Sequence, residues 1–157
     1  MTEKMKKYAL WLLVLFIVAQ LIPFSRDNPP VTSDIHTPES LKNVLKKACY
    51  DCHSNETKWP WYSYIAPISW LVKFDVVRGR DHLNFSKWDE YQDKDKIHLL
   101  EEVAEEVEEK EMPLFIYTIN HPEAKLTDEE IKQIVNWAKI NAGILKKTLG
   151  KNNLKSK

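Results

Sequence analysis

The sequence is poor in glycine, with only three among its 157 residues. Phosphate-binding loops need several glycines, because a backbone without Cβ atoms can approach a pyrophosphate closely. This scarcity argues against a glycine-rich nucleotide-binding fold. The chain also lacks an excess of either charge, with 23 basic and 23 acidic residues. Since no strong field of one sign is present, nucleic acid and acidic substrates are not expected as partners.

Cysteine is equally scarce, since the chain has two, and both lie in the segment Cys49-Tyr50-Asp51-Cys52-His53. No disulfide framework is therefore expected. Cys-x-x-Cys-His is the attachment pattern for c-type haem. Two thiols three residues apart lie on one side of a helical turn and can reach the two vinyl groups at one porphyrin edge. The histidine that follows can give its imidazole to the iron as the proximal ligand.

Two other uses of the cysteines compete with haem attachment. A structural zinc site needs four nitrogen or sulphur ligands, and no second ligand pair follows at the usual spacing. A thioredoxin-like dithiol expects a strand that leads into the motif. Here Thr37-Pro38 and the spacing of Leu41, Val44 and Ala48 predict a helix instead. The sequence favours one covalently attached haem c.

The N-terminus predicts export. Lysines among the first seven residues precede an apolar run from Tyr8 to Phe24, about 17 residues long, which is short for a membrane span. Residues 1–24 are predicted to form a signal anchor with a transmembrane helix. A cleaved signal peptide is the alternative, although no small-residue cleavage site is evident. Bacteria attach haem to Cys-x-x-Cys-His after export, so we expect a single-pass inner-membrane protein with its haem domain in the periplasm.

The rest of the chain is expected to be all-α. Residues 25–36 contain Asn28-Pro29-Pro30 and predict an unpacked linker. Residues 37–146 are expected to form a cytochrome c-like haem-binding domain, and residues 147–157 a basic tail that frays. Within the domain, Gly79 is expected to end a helix that follows Pro67. Asp93–Glu109 shows the spacing of an amphipathic helix, and Thr127 with Glu130 predicts a capping box at the start of the last one.

Met112 is the candidate for the second axial ligand. It lies in Glu111-Met112-Pro113, between the last two predicted long helices. In small cytochromes c the sixth iron ligand is a methionine from this part of the chain, and a thioether favours reduced iron. His121 is the alternative ligand, because it follows in the same loop region. The predicted cofactor-binding residues are Cys49, Cys52, His53 and Met112, of which His53 and Met112 bind the iron.

A longer pattern resembles the single-haem "haem-binding domain" family of Bacteroidetes-type bacteria. The matching residues are Cys49-Tyr50-Asp51-Cys52-His53-Ser54-Asn55, Thr57, Pro60-Trp61-Tyr62, Pro67, Trp70, Gly79-Arg80, Asn84-Phe85-Ser86, Trp88, Glu111-Met112-Pro113, Tyr117, His121-Pro122, Ala124 and Leu126. The resemblance covers roughly residues 37 to 140. It implies an all-helical, cytochrome c-like domain that binds haem covalently through both cysteines, with His53 as an axial ligand. It supplies no reaction and no partner.

These features predict a membrane-anchored periplasmic c-type cytochrome that carries single electrons. Its expected partners are redox proteins in or at the inner membrane, and it is not expected to be an enzyme. The alternative is a haem-based, peroxidase-like enzyme or a gas sensor. That alternative requires a sixth ligand that can be displaced and polar groups on the distal side of the haem.

Overall fold

The computed structural model describes residues 2–155, with side chains to residue 151. The described part of the chain is all-helical and contains no strand, which confirms the all-α prediction. Its α helices are α1 (Glu3–Gln20), α2 (Glu39–Ala48), α3 (Tyr50–His53), α4 (Ile68–His82), α5 (Asp93–Glu108), α6 (Phe115–Asn120) and α7 (Asp128–Lys155). Short 3₁₀ helices lie at Trp61–Tyr64, Phe85–Glu90 and Pro122–Ala124.

The core is built on α5 and α7, which form the most extensive helix pair. The bounds of α5 agree with the predicted amphipathic helix within one residue. Its apolar stripe and that of α7 lie in one buried cluster, which includes Ile97, Leu100, Ala104, Ile134 and Ala138. Full burial of a large aliphatic side chain contributes about 1.5–3 kcal/mol, so this pair is the main stabilising unit.

Helix α2 connects this core to the cysteine motif. Leu41, Val44, Leu45 and Ala48 are buried at the predicted helical spacing. The helix contacts α7, and the Lys47 ammonium lies 2.6 Å from the Glu130 carboxylate of that helix. The motif therefore follows directly from an element that is fixed to the core.

The start of α7 is the predicted capping box. The Glu130 amide donates to the Thr127 hydroxyl at 3.2 Å, and the Thr127 amide donates to the Glu130 carboxylate at 2.9 Å. Two backbone donors at the helix start are thereby satisfied. At its other end α7 continues to Lys155, so the predicted basic tail is helical as far as the structure describes it.

The segment 25–36 has no regular secondary structure, but it is not a free spacer. Ile35 is buried in the core, the Thr32 amide donates to the Ser86 carbonyl at 3.1 Å, and the Asn28 side chain donates to the Thr57 carbonyl at 2.9 Å. The expectation of an unpacked linker is wrong here, because its backbone and amide groups bond to the loops around the motif.

Helix α1 buries none of its residues. The side-chain amide of Gln20 at its end exchanges two hydrogen bonds with the backbone of Ala66, at 3.0 and 3.1 Å. Among the described residues, no helix has the length and apolar character needed to cross a membrane. The transmembrane anchor predicted for residues 1–24 is therefore not supported.

Candidate functional site

The cysteine motif forms a helical turn of its own. The chain bends at Cys49, where φ is −124° and ψ is −35°, and α3 begins at the next residue. The amides of Cys52 and His53 both donate to the Cys49 carbonyl, at 3.2 and 2.9 Å. Both thiols are free and half-buried. The two predicted attachment residues and the predicted proximal ligand therefore lie together on one turn.

Among the described residues, a hydrogen-bond partner is found for one ring nitrogen of His53. Its Nδ1 atom lies 3.1 Å from the carbonyl oxygen of Leu83, which follows α4. A carbonyl can only accept, so Nδ1 carries the proton and Nε2 keeps a free lone pair. Burial lowers the pKa of His53, which keeps the ring neutral at neutral pH. A neutral imidazole whose second nitrogen donates to a carbonyl is the usual form of a metal-ligating histidine.

Gly79 allows α4 to approach the motif. A Cβ atom built at this position would lie 2.6 Å from the Cys52 carbonyl oxygen and 3.1 Å from the Cys52 Cβ atom. The expectation that Gly79 ends its helix is wrong, because α4 continues to His82. The glycine is needed for close packing of α4 on α3, a requirement that sequence spacing alone does not reveal.

The two thiols do not have the electrostatics of a redox pair. Burial raises the pKa of Cys49 to about 12, and the proximity of Cys52 adds to the effect. Burial, followed by the charges of Asp75 and Asp51, raises the pKa of Cys52 to about 12. Reactive dithiols work through a lowered thiol pKa. The element that leads into the motif is also helix α2 rather than a strand, so the dithiol alternative gains no support.

The two residues between the cysteines hold α3 from opposite sides. The Tyr50 hydroxyl donates to the Asp34 carboxylate at 2.6 Å, and its ring stacks on Phe85 with centroids 5.2 Å apart. The Asp51 carboxylate accepts a hydrogen bond from the Tyr117 hydroxyl at 2.8 Å. Spacing in the sequence does not predict either contact, because Asp34 lies 16 residues from Tyr50 and Tyr117 lies 66 residues from Asp51.

Arg80 joins the segments around the motif. Its guanidinium donates to the Ser54 carbonyl at 2.8 Å and to the Thr57 hydroxyl at 2.7 Å. It also donates to the Asp27 carbonyl at 3.1 Å and to the Asn28 side chain at 2.7 Å. Hydrogen bonds from a charged donor are stronger than neutral ones. Arg80 therefore fixes the loop after His53 against both α4 and the N-terminal segment.

Met112 lies in the predicted loop, between α5 and α6. Its amide and that of Glu111 donate to the Glu106 carbonyl at 3.1 and 2.9 Å, after Lys110 adopts a left-handed φ of 64°. The Met112 side chain is half-buried and packs against the core cluster that also contacts Cys49. Its assignment as the sixth ligand stays a prediction.

The histidines other than His53 have partners of their own. The Nε2 atom of His121 lies 2.7 Å from the Tyr62 hydroxyl, and its Nδ1 atom lies 3.1 Å from the Glu123 carboxylate. Both ring nitrogens are thus engaged, which favours Met112 over His121 as the ligand. Three further side chains are exposed near carboxylates of Asp89 or Glu102, namely His36, His82 and His98.

The fold and the site together define a class of protein: an all-α chain in which a single turn carries two free thiols and an imidazole whose Nδ1 is bonded to a carbonyl. The sequence model of the family described as "Haem-binding domain" matches residues 14–140. Because this match covers most of the chain, the protein belongs to the haem-binding domain family. No curated protein and no solved structure matches the chain. Family membership supports a haem cofactor. The residues present fit this group, because one turn carries two free thiols and an imidazole whose Nε2 has no partner among the described residues.

Proposed function

We propose that this protein is a c-type cytochrome in which one haem is linked through thioethers to Cys49 and Cys52. The observation that carries the proposal is the Leu83 carbonyl at His53 Nδ1, because it leaves Nε2 available on the same turn as both thiols. The bound haem would supply one-electron chemistry at its iron. The chain's residues bind the group, orient the proximal imidazole and exclude water.

The ligand set of the proposal is His53 and Met112. The Leu83 carbonyl increases the basicity of the proximal imidazole. The Met112 thioether would favour reduced iron and would raise the reduction potential relative to a pair of histidine ligands. Half-burial of Met112 against the core supports this role, since a ligand sulphur must be held away from water.

The proposed activity is single-electron transfer rather than catalysis. A haem iron with two protein ligands would have no open position for a substrate, so the protein would transfer electrons without binding a substrate at the iron. We place the protein in the periplasm, because covalent attachment to this motif in bacteria follows export. Its proposed partners are redox proteins in or at the inner membrane.

A haem enzyme or gas sensor is the competing function. The polar groups of Tyr62, Tyr117 and His121 favour it, because such enzymes use polar side chains near the haem. Tyr62 is linked to the motif through contacts: its hydroxyl meets His121, whose ring stacks on Tyr117, and Tyr117 donates to Asp51. Carbon monoxide separates the two functions, because it binds ferrous iron rapidly only when the sixth position is free or weakly held.

The test of the ligand set uses the full-length exported holoprotein. The wild type should show the thioether-to-ferric-iron charge-transfer band, and its ferrous form should resist carbon monoxide. Met112→Ala should lose the band and bind carbon monoxide, while Met5→Ala in the exposed helix α1 should resemble the wild type. Rapid carbon monoxide binding by the wild type would support the enzyme or sensor instead.

A further inference from the structure

The α6 segment, which follows Met112, is held with little hydrophobic packing. None of the residues in α6 is buried, and Phe115, Ile116 and Ile119 are 80%, 63% and 56% exposed. The first fully buried residue after Met112 is Ala124. Burial of apolar area is what normally fixes a helix to a domain. The position of this segment therefore depends on its polar contacts.

Two such contacts tie the segment to the neighbourhood of the motif. The Tyr117 hydroxyl donates to the Asp51 carboxylate at 2.8 Å, and His121 Nε2 lies 2.7 Å from the Tyr62 hydroxyl. The rings of Tyr117 and His121 are stacked, with centroids 4.5 Å apart and an interplanar angle of 19°. Stacking couples the two contacts, so they act as one unit.

The acceptor in the first contact is itself fixed. The second carboxylate oxygen of Asp51 accepts from the Lys58 amide at 2.9 Å, and its carbonyl accepts from the Thr57 hydroxyl at 2.7 Å. Asp51 also lies between the two attachment cysteines. The contact therefore joins the α6 segment to the turn that carries the proposed haem, rather than to a distant surface. Burial and the Asp51 charge raise the pKa of Tyr117, which keeps its hydroxyl protonated as a donor.

We propose that the Tyr117–Asp51 and Tyr62–His121 contacts form a latch that holds the Met112 loop in place as the sixth-ligand loop. Tyr117 and Tyr62 are positioning residues in this assignment, and they act through Met112. The inference rests on the proposed function, since it assumes that Met112 binds the iron. It adds that two hydrogen bonds from outside the core hold the C-terminal side of the Met112 loop, whose N-terminal side is already bonded to the Glu106 carbonyl.

The test uses Tyr117→Phe in the full-length holoprotein. Loss of a hydrogen bond to a carboxylate should raise the population of the open loop about tenfold or more. The rate of carbon monoxide binding to the ferrous form should rise by a similar factor, and the charge-transfer band should weaken. Tyr62→Phe, which removes the other contact, should act in the same direction. In a Met112→Ala background neither change should alter the rate further.

Thr118→Val is the matched control. It removes a hydroxyl from the same helix α6, but the hydrogen bond of that hydroxyl goes to the Phe115 carbonyl within the helix and not to the motif. The variant should keep the charge-transfer band, and its ferrous form should bind carbon monoxide as slowly as the wild type. The latch is overturned if Tyr117→Phe and Tyr62→Phe both retain wild-type rates, or if Thr118→Val raises the rate as much as they do. A wild type without the band would overturn the ligand set itself, and the latch with it.

Discussion

The Nδ1 atom of His53 lies 3.1 Å from the carbonyl oxygen of Leu83. This contact fixes the tautomer of the imidazole, because Nδ1 must carry the proton and Nε2 then keeps its lone pair. It connects two segments that are 30 residues apart in the chain. Among the histidines it distinguishes His53 from His121, whose two nitrogens both have partners.

Replacement of His53 should abolish the low-spin haem. His53→Ala removes the proximal ligand, so any haem that remains should be high-spin or lost, as measured by absorption spectra of the exported protein. His98→Ala is the control, because His98 is exposed and pairs with Glu102. A low-spin spectrum in His53→Ala that equals the wild type would show that another residue binds the iron.

Each cysteine should contribute one covalent bond. Cys52→Ala should leave at most a single thioether, so one vinyl group stays unsaturated and the pyridine haemochrome spectrum shifts to longer wavelength. The amount of haem that survives denaturation should also fall. Full retention with an unshifted spectrum would remove Cys52 from the attachment site.

Gly79→Ala should destabilise the protein, because the new Cβ atom would meet the Cys52 carbonyl at 2.6 Å. Overpacking of this kind costs about 1–3 kcal/mol of unfolding free energy. Gly143→Ala is the matched control in α7, where a Cβ atom would meet nothing within 4 Å. It should stabilise by about 0.5–1 kcal/mol through helix propensity. Chemical denaturation gives the unfolding free energy of each variant. Equal changes in Gly79→Ala and Gly143→Ala would contradict the close contact with Cys52.

The Asp34 carboxylate should make stability depend on pH. Burial alone would raise the pKa of Asp34, but hydrogen bonds from Lys42 and Tyr50 outweigh it and hold the pKa below its ordinary value. A depressed pKa contributes stability above the unfolded value of about 3.9, and this contribution is lost as pH falls through the folded value.

Asp34→Asn should therefore be less stable than the wild type at neutral pH, and the difference should shrink below about pH 4. Asparagine keeps the size of the side chain and can still accept from Tyr50, so the comparison isolates the charge. Denaturation curves of the two proteins at several pH values measure this difference in unfolding free energy. A difference that is constant across that range would show that the charge is not responsible.

The sequence predicted those features that depend on local spacing. The capping box at Thr127 and Glu130, the stripe of α5 and the turn that carries Cys49, Cys52 and His53 all follow from residues within a few positions of one another. The anchor predicted from the apolar run before Pro23 is not supported, since no described helix has the length and apolar character of a membrane span.

Features that depend on tertiary approach were missed. Gly79 is required by a contact with Cys52, and Asp51 meets Tyr117 across 66 residues. The packing of segment 25–36 also depends on distant acceptors such as the Ser86 carbonyl. Hydrogen bonds of this kind leave no periodic signal, since their spacing in the chain is arbitrary.

The central claim is that a porphyrin is bonded covalently to this chain. The most direct measurement is haem staining of a denaturing gel of the full-length protein, expressed in a host with cytochrome c maturation machinery. We expect a haem signal at the mass of the polypeptide, which disappears when Cys49 and Cys52 are both replaced by alanine. A protein that folds, as judged by circular dichroism, but carries no haem signal would contradict the account.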